Sequence, residues 1–238
     1  VIVIGLTVGI AVNYCLINDI LNCAEVKTED VITTFISSTN IGVNLNGTTV
    51  LVAPGTPAGS YTLVYQICEI LNPTNCDTAT VTVTVNSAAI VANDDAGTPV
   101  NGLSGGTGFA NVLINDTLNG SPIAVDQVTL TTISSSNPGI TLSGTDVIVA
   151  PGTPAGSYTL VYQICEILNP TNCDTATVTV TVNSAAIVAN DDAGIPVNGL
   201  SGGTGFTNVL INDTINGSPV AADQVILTTI SSSSPGIT

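Results

Sequence analysis

Six cysteines stand in three pairs of one spacing, Cys15 with Cys23, Cys68 with Cys76 and Cys165 with Cys173, and the even count and repeated interval point to disulfides. The competing chemistry is zinc, for which two thiolates without a histidine supply only half of a tetrahedral ligand set. Disulfides imply an oxidising, extracytoplasmic compartment. A second set is acidic: Asp94, Asp95, Asn115 and Asp116, repeated as Asp191, Asp192, Asn212 and Asp213, with Asp19 at the corresponding place near the start. Calcium takes hard oxygen ligands of this kind. The same residue types also close turns by bonding their own backbone, and both readings stand at this level. Catalysis is not expected. Histidine is absent and Lys plus Arg total one, so most acid-base and nucleophilic schemes lack their groups. Glu69 and Glu166 occupy the same position of a repeat, so they cannot form the local carboxylate pair, about 5 to 10 Å apart, of a glycosidase.

Seventeen acidic residues against one Lys, Lys27, give a formal charge of -16. Nucleic acid is excluded as a partner, because phosphate binding rests on cationic side chains, and an anionic membrane surface is disfavoured for the same reason. Hydrophobic residues make up 44% of the chain but alternate with Thr and Ser, so no run reaches the roughly 18 residues of a spanning helix. Val1–Val12 is apolar without a basic flank and does not read as a signal peptide.

The elements that position these groups recur with a period of 97: Leu45–Thr141 and Leu142–Thr238 differ at ten positions, among them Asn46/Ser143, Thr98/Ile195 and Asn137/Ser234. Residues 1–44 are a diverged copy, with Gly5, Leu6, Leu16, Ile17, Asn18, Asp19 and Asn22 in register with Gly102, Leu103, Leu113, Ile114, Asn115, Asp116 and Asn119. The expected division is 1–86, a diverged repeat without its first strand; 87–183, a complete repeat; and 184–238, the N-terminal part of another. The phase of the ends reads as a window on a longer array, with Val209, Ile211 and Leu227 facing an incomplete core.

Within a repeat, Ser157–Glu166 and Thr175–Val182 read as strands, the latter by its Val/Thr alternation, joined by the Asn169–Asn172 loop. Further strands are expected at Asp146–Val149, Ala185–Asn190, Asn208–Ile211 and Gln224–Ile230. About seven strands per repeat fit an all-β fold of tandem immunoglobulin-like β-sandwiches. Side-chain parity puts Cys165 opposite Tyr162 and Ile164, and Cys173 opposite Val178, Val180 and Val182. Both sulfurs therefore lie on the solvent side of adjacent strands, where a bridge would contribute about 2 to 3 kcal/mol. Asn86–Asp95 is too short and apolar for a flexible tether, so neighbouring repeats should stack end to end.

The segments ANDDAG, VLINDTLNG and VAPGTPAGSYTLVYQICEILNPTNCDTATVTVTV resemble the repeats of large surface adhesins of gliding bacteria of the type IX secretion class, and more loosely bacterial cadherin-like repeats. The resemblance implies a stalk segment of a secreted cell-surface adhesin serving attachment and gliding. Its partners would be neighbouring repeats and surface motility components, with calcium at the paired aspartates where one repeat meets the next. It also implies O-glycosylation at Asp-Thr-aliphatic triplets, on Thr78, Thr117, Thr175 and Thr214; the plain alternative is a Thr on a strand's solvent face. The rival from another class is a calcium-dependent ligand-binding module, lectin-like or ice-adhering. With aromatics at 3% and no Trp, stacking on sugar rings is disfavoured.

Overall fold

The computed structural model describes residues 2–4 and 9–238, with side chains from residue 9 onward. Gly5 and Leu6, whose register with Gly102 and Leu103 the repeat implies, lie outside the described residues. The protein is all-β and built from immunoglobulin-like sandwiches. Val, Ile and Thr alternate along its long strands, and such branched side chains pack well on a pleated, half-buried surface.

The first unit comprises β1 (Ile2–Ile4), β2 (Gly9–Val12), β3 (Ile20–Leu21), β4 (Ala24–Glu25), β5 (Val31–Ser38), β6 (Val43–Asn46), β7 (Thr49–Val52), β8 (Gly59–Glu69) and β9 (Cys76–Asn86). One sheet runs β1-β9-β8-β5 and the other β2-β7-β6, with β3 and β4 forming a small hairpin. β1 lies parallel to β9, while β8 and β9 pair antiparallel from Gly59↔Val85 to Cys68↔Cys76. Val43, Val50, Val52, Leu63, Tyr65, Val83 and Val85 pack between the sheets.

The second unit repeats this plan with β10 (Ile90–Val91), β11 (Asp95–Ala96), β12 (Val100–Asn101), β13 (Gly106–Phe109), β14 (Thr117–Leu118), β15 (Ser121–Pro122), β16 (Val128–Ser135), β17 (Ile140–Ser143), β18 (Asp146–Val149), β19 (Gly156–Glu166) and β20 (Cys173–Asn183). β11 and β12 both lie parallel along β20, which continues to β19 and β16; the facing sheet is β13-β18-β17. Its core is separate, with Val147, Val149, Leu160, Tyr162, Ile164, Val178 and Val180 fully buried. The expected parity of β20 holds, since Val178, Val180 and Val182 point inward.

Residues 184–238 carry only β21 (Ile187–Val188), β22 (Thr214–Ile215) and β23 (Ser218–Pro219). The strand expected over Ala185–Asn190 narrows to β21. Asn208–Ile211 is a turn, as is its counterpart Asn111–Ile114. Asn111 adopts a left-handed φ of 56° there, and the turn drops Val112 and Leu113 into the core. Ile114 at 67% exposure matches Ile211 at 67%, so Ile211 is a surface residue of the turn and not an inward-facing one. Gln224–Ile230 forms no strand, whereas its counterpart includes β16. β16 exists by pairing with β19, and residues 184–238 contain no equivalent of β19. Val209 and Leu227 are accordingly exposed.

Candidate functional site

The acidic set of the second unit is assembled by three segments: the approach to β11, the turn before β14, and the middle of β19. Asp116 is fully buried, and its Oδ1 accepts the Asn93 backbone N–H at 2.8 Å. The Tyr162 hydroxyl stands 3.0 Å from Asp116 Oδ2, 3.0 Å from the Val112 carbonyl and 3.3 Å from the Asn93 carbonyl, so one proton serves three acceptors. Asp95 is 6% exposed and its Oδ2 has no partner. Burial first, and the nearby Asp116 charge second, push the Asp95 carboxyl up to about 6. Burial likewise raises Asp116, and raises Tyr162 with the two carboxylates beside it.

Several oxygens of the set expected to hold calcium are engaged by protein donors. Asp94 Oδ1 is turned to the Thr177 N–H at 2.8 Å, and Asn115 donates its Nδ2 to the Asp94 carbonyl at 3.3 Å. Among the described residues no three or more acidic, His or Cys side chains gather in a metal-holding arrangement. Calcium favours six to eight oxygen ligands; here Asp94 Oδ1 and both Asp116 carboxyl oxygens are engaged by protein donors, while Asp95 Oδ2 is not. The third copy behaves alike: Asp213 accepts the Asn190 N–H at 2.8 Å, Asn190 Nδ2 reaches the Asn212 carbonyl at 2.7 Å, and Asn212 Nδ2 the Asp191 carbonyl at 3.2 Å. Asp191 and Asp192 are exposed. The set pins the N-terminal segment of a unit to its turn and to β20.

Tyr162 and Asn93 were not singled out by residue type, yet repeat register marks the tyrosine. Tyr65, its counterpart in the diverged copy, donates to Asp19 Oδ2 at 2.7 Å and to the Cys15 carbonyl at 3.0 Å. The Tyr–Asp pair thus recurs in both units.

The long hairpins place Cys68 directly opposite Cys76 and Cys165 opposite Cys173, and both pairs are disulfide-bonded with Cα atoms 4.1 Å apart. Cys15 and Cys23 are instead free thiols, a correction to the uniform pairing. Cys15 lies in the core, in register with Val112, where a small apolar side chain is required. Cys23 sits at the exposed tip between β3 and β4 with a left-handed φ of 63°, in register with Gly120, whose φ is 74°. Their interval is shared with the bonded pairs by coincidence, because these two positions never face each other across paired strands. Burial, with Asp19 nearby, raises the Cys15 thiol above its ordinary range.

The tip of the second hairpin forms a further site, at the joint between units. Asn169 Oδ1 accepts the Ala58 N–H of the first unit at 2.7 Å. Asn172 Nδ2 donates to the Ala88 carbonyl at 2.7 Å and to Glu166 Oε2 at 2.8 Å. Asp174 Oδ2 accepts the Ala92 N–H at 2.9 Å. The first hairpin, identical in sequence, is folded on itself: Asn72 and Asn75 donate to the two oxygens of Glu69 at 2.8 and 2.9 Å. In the joint Asn169 faces the preceding unit, leaving Glu166 Oε1 buried without a partner. Of the glycosylation candidates, Thr78 and Thr175 are exposed on β9 and β20, while Thr117 and Thr214 are half-buried.

No protein-family model and no curated protein matches the chain. Among solved structures it is similar to chicken VE-cadherin EC1-2 (16% identity, 67% of this chain and 87% of that one, TM-score 0.33). It is also similar to human protocadherin-24 EC1-2 (13% identity, 76% and 92%, TM-score 0.31). A third similarity is to protocadherin gamma B2 cadherin domains 3-6 (14% identity, TM-score 0.32), where the match covers 65% of this chain and only 43% of that fragment.

Proposed function

We propose that this chain is a stalk segment of a long secreted adhesin at a bacterial cell surface, in which stacked sandwiches hold an adhesive element away from the cell. The observation that carries this reading is the joint: Asn169 of the second unit accepts the Ala58 N–H of the first, while Asn172 holds the Ala88 carbonyl of the segment that links them, so consecutive units dock on one another. Docking limits the bending that a free linker would allow, and repetition of one docked unit converts unit number into reach. Two further features support it. The disulfides suit an extracellular medium, and a charge of -16 keeps neighbouring filaments apart and soluble. Surface attachment and gliding follow from the sequence resemblance. Calcium at Asp94, Asp95, Asn115 and Asp116 forms no part of the proposal, because protein donors already engage Asp94 Oδ1 and both Asp116 carboxyl oxygens. The test is the distribution of distances between spin labels at the repeat-equivalent, exposed Thr34 and Thr131. A narrow distribution that broadens in an Asn169→Ala/Asn172→Ala variant supports docked units; equally broad distributions in both refute a stalk built on this joint.

A further inference from the structure

Two carboxamides meet between the second unit and the repeat that follows it. Asn101 Nδ2 donates to Asn216 Oδ1 at 3.0 Å, and Asn216 Nδ2 donates to Asn101 Oδ1 at 3.0 Å. These residues stand 115 positions apart and belong neither to the acidic set nor to the hairpin tip.

Each amide is fixed before it meets the other. Asn101 ends β12 opposite Asn183. Its loop is pinned on both sides, by the Gly102 N–H to the Asn183 carbonyl at 2.9 Å and the Gly152 N–H to the Gly102 carbonyl at 2.8 Å. Asn101 Oδ1 also accepts the Leu103 N–H at 3.0 Å, an Asx turn that sets the direction of the side chain. Across the contact, Asn216 and Gly217 form the tight turn between β22 and β23, with left-handed φ values of 50° and 74°, as an Asn-Gly hairpin turn requires. Asn216 and Ala186 exchange two bonds: the Asn216 N–H reaches the Ala186 carbonyl at 2.7 Å, and the Ala186 N–H reaches Asn216 Oδ1 at 3.0 Å. Groups already held lose little freedom on pairing, so this amide pair retains more of its interaction energy than one between mobile side chains.

The same turn also occurs without the pair. Asn119 and Gly120 have φ values of 52° and 74°, and the Asn119 N–H reaches the Ala89 carbonyl at 2.6 Å. The Asn119 amide, however, has no side-chain partner among the described residues. The repeat position equivalent to Asn101 is there Ile4, which pairs with Asn86 on β9 in the register that sets Asn101 opposite Asn183. Isoleucine brings neither donor nor acceptor.

We infer that this repeat position selects how a unit seats its neighbour: Asn101 forms a carboxamide socket for the Asn-Gly turn of the following repeat, whereas Ile4 leaves the turn of its neighbour ungripped. The socket discriminates by chemistry. A Gly-Gly turn keeps the backbone and offers nothing to it, and an Asp-Gly turn, sterically equal, sets a carboxylate oxygen against Asn101 Oδ1. The inference goes beyond the stalk reading, which stands on Asn169 and Asn172.

The test follows side-chain amide hydrogen exchange by NMR in the full chain. In the parent, the Asn216 amide should exchange about tenfold more slowly than that of Asn119, the ratio for roughly 1.4 kcal/mol. Asn101→Ser keeps a shorter cap for the Leu103 N–H but does not span the contact, so it should bring Asn216 to the rate of Asn119. Ile4→Asn, with an unchanged circular dichroism spectrum, should slow Asn119 by a comparable factor. Seating is read separately: in a Cys23→Ser chain, spin labels at the exposed Thr131 and Ala222 should give a narrow distance distribution that broadens with Asn101→Ser. Equal parent rates at Asn119 and Asn216, an Asn216 rate or a distance distribution indifferent to Asn101→Ser, or an Asn119 rate unmoved by Ile4→Asn would overturn the inference. None of these readouts depends on Asn169 or Asn172, so the stalk reading stands or falls by its own test.

Discussion

Asp95 offers the sharpest test of the acidic node, through Asp95→Asn and a pH series. Its carboxyl is lifted from 3.8 to about 6. That is about two pH units, or roughly 3 kcal/mol of preference for the protonated form in the folded state. Because the folded-state value lies above the unfolded one, the contribution is complete below pH 3.8 and declines as pH rises through about 6. Stability of the second unit should therefore fall by up to about 3 kcal/mol between pH 4 and pH 8 on account of this residue. A neutral Asn removes the decline. Urea unfolding at constant ionic strength should find the variant close to the parent at pH 4 and more stable at pH 8. The control lies within the same chain: Asp192 has the same sequence neighbours but is exposed, so Asp192→Asn should leave the curve unchanged. Parallel curves for parent and Asp95→Asn, or an equal effect from Asp192→Asn, would refute the reasoning. Millimolar calcium should leave the Asp95 midpoint, followed by carboxyl carbon NMR, where it is; a bound cation would move it sharply down.

Non-reducing peptide mapping should recover the Cys68–Cys76 and Cys165–Cys173 links, with Cys23 labelled by maleimide in the native protein and Cys15 only after unfolding. Tyr162→Phe should destabilise its unit by about 2 kcal/mol, because the buried Asp116 carboxylate loses a donor, and Tyr65→Phe by less, since Asp19 is half-exposed to water; thermal unfolding of the two variants compares them directly. Gly102→Ala places a Cβ against the Thr153 carbonyl and should cost several kcal/mol, whereas Gly199→Ala, at the same repeat position, meets nothing within 4 Å and should be silent in the same assay.

What could be read from residue order was whatever a strand pair enforces locally. The Val/Thr alternation gave the inward face of β20, and parity gave the two disulfides, because in an antiparallel hairpin sequence distance from the turn fixes which residues face each other. The same interval misled at Cys15 and Cys23, where no long hairpin lies between them; repeat register, aligning them with a core valine and a turn glycine, carries the correct signal. Asn208–Ile211 has strand-forming residues, yet tertiary context folds its counterpart into a turn around Asn111 that plugs the core with Val112. Gln224–Ile230 shows the converse, a strand-like sequence without its pairing partner. The tyrosine node and the joint were hidden for a different reason. Each depends on residues 46 to 111 positions apart, and no local pattern encodes such contacts.

The parallel pairing of β11 and β12 with β20 has a mechanical consequence. The chain enters the second unit beside the disulfide end of β20 and leaves at Asn183, the opposite end. A pull applied between the two ends of the unit therefore slides these strands past each other, loading their hydrogen bonds in shear and together, where an antiparallel first and last strand would unzip one bond at a time. Beyond that ladder the force meets Cys165–Cys173, which bounds the hairpin loop. Extension of a stretched unit would thus stop short of the tip enclosed by that bond, Glu166–Asn172, and the surface that grips its neighbour would outlast the sandwich behind it.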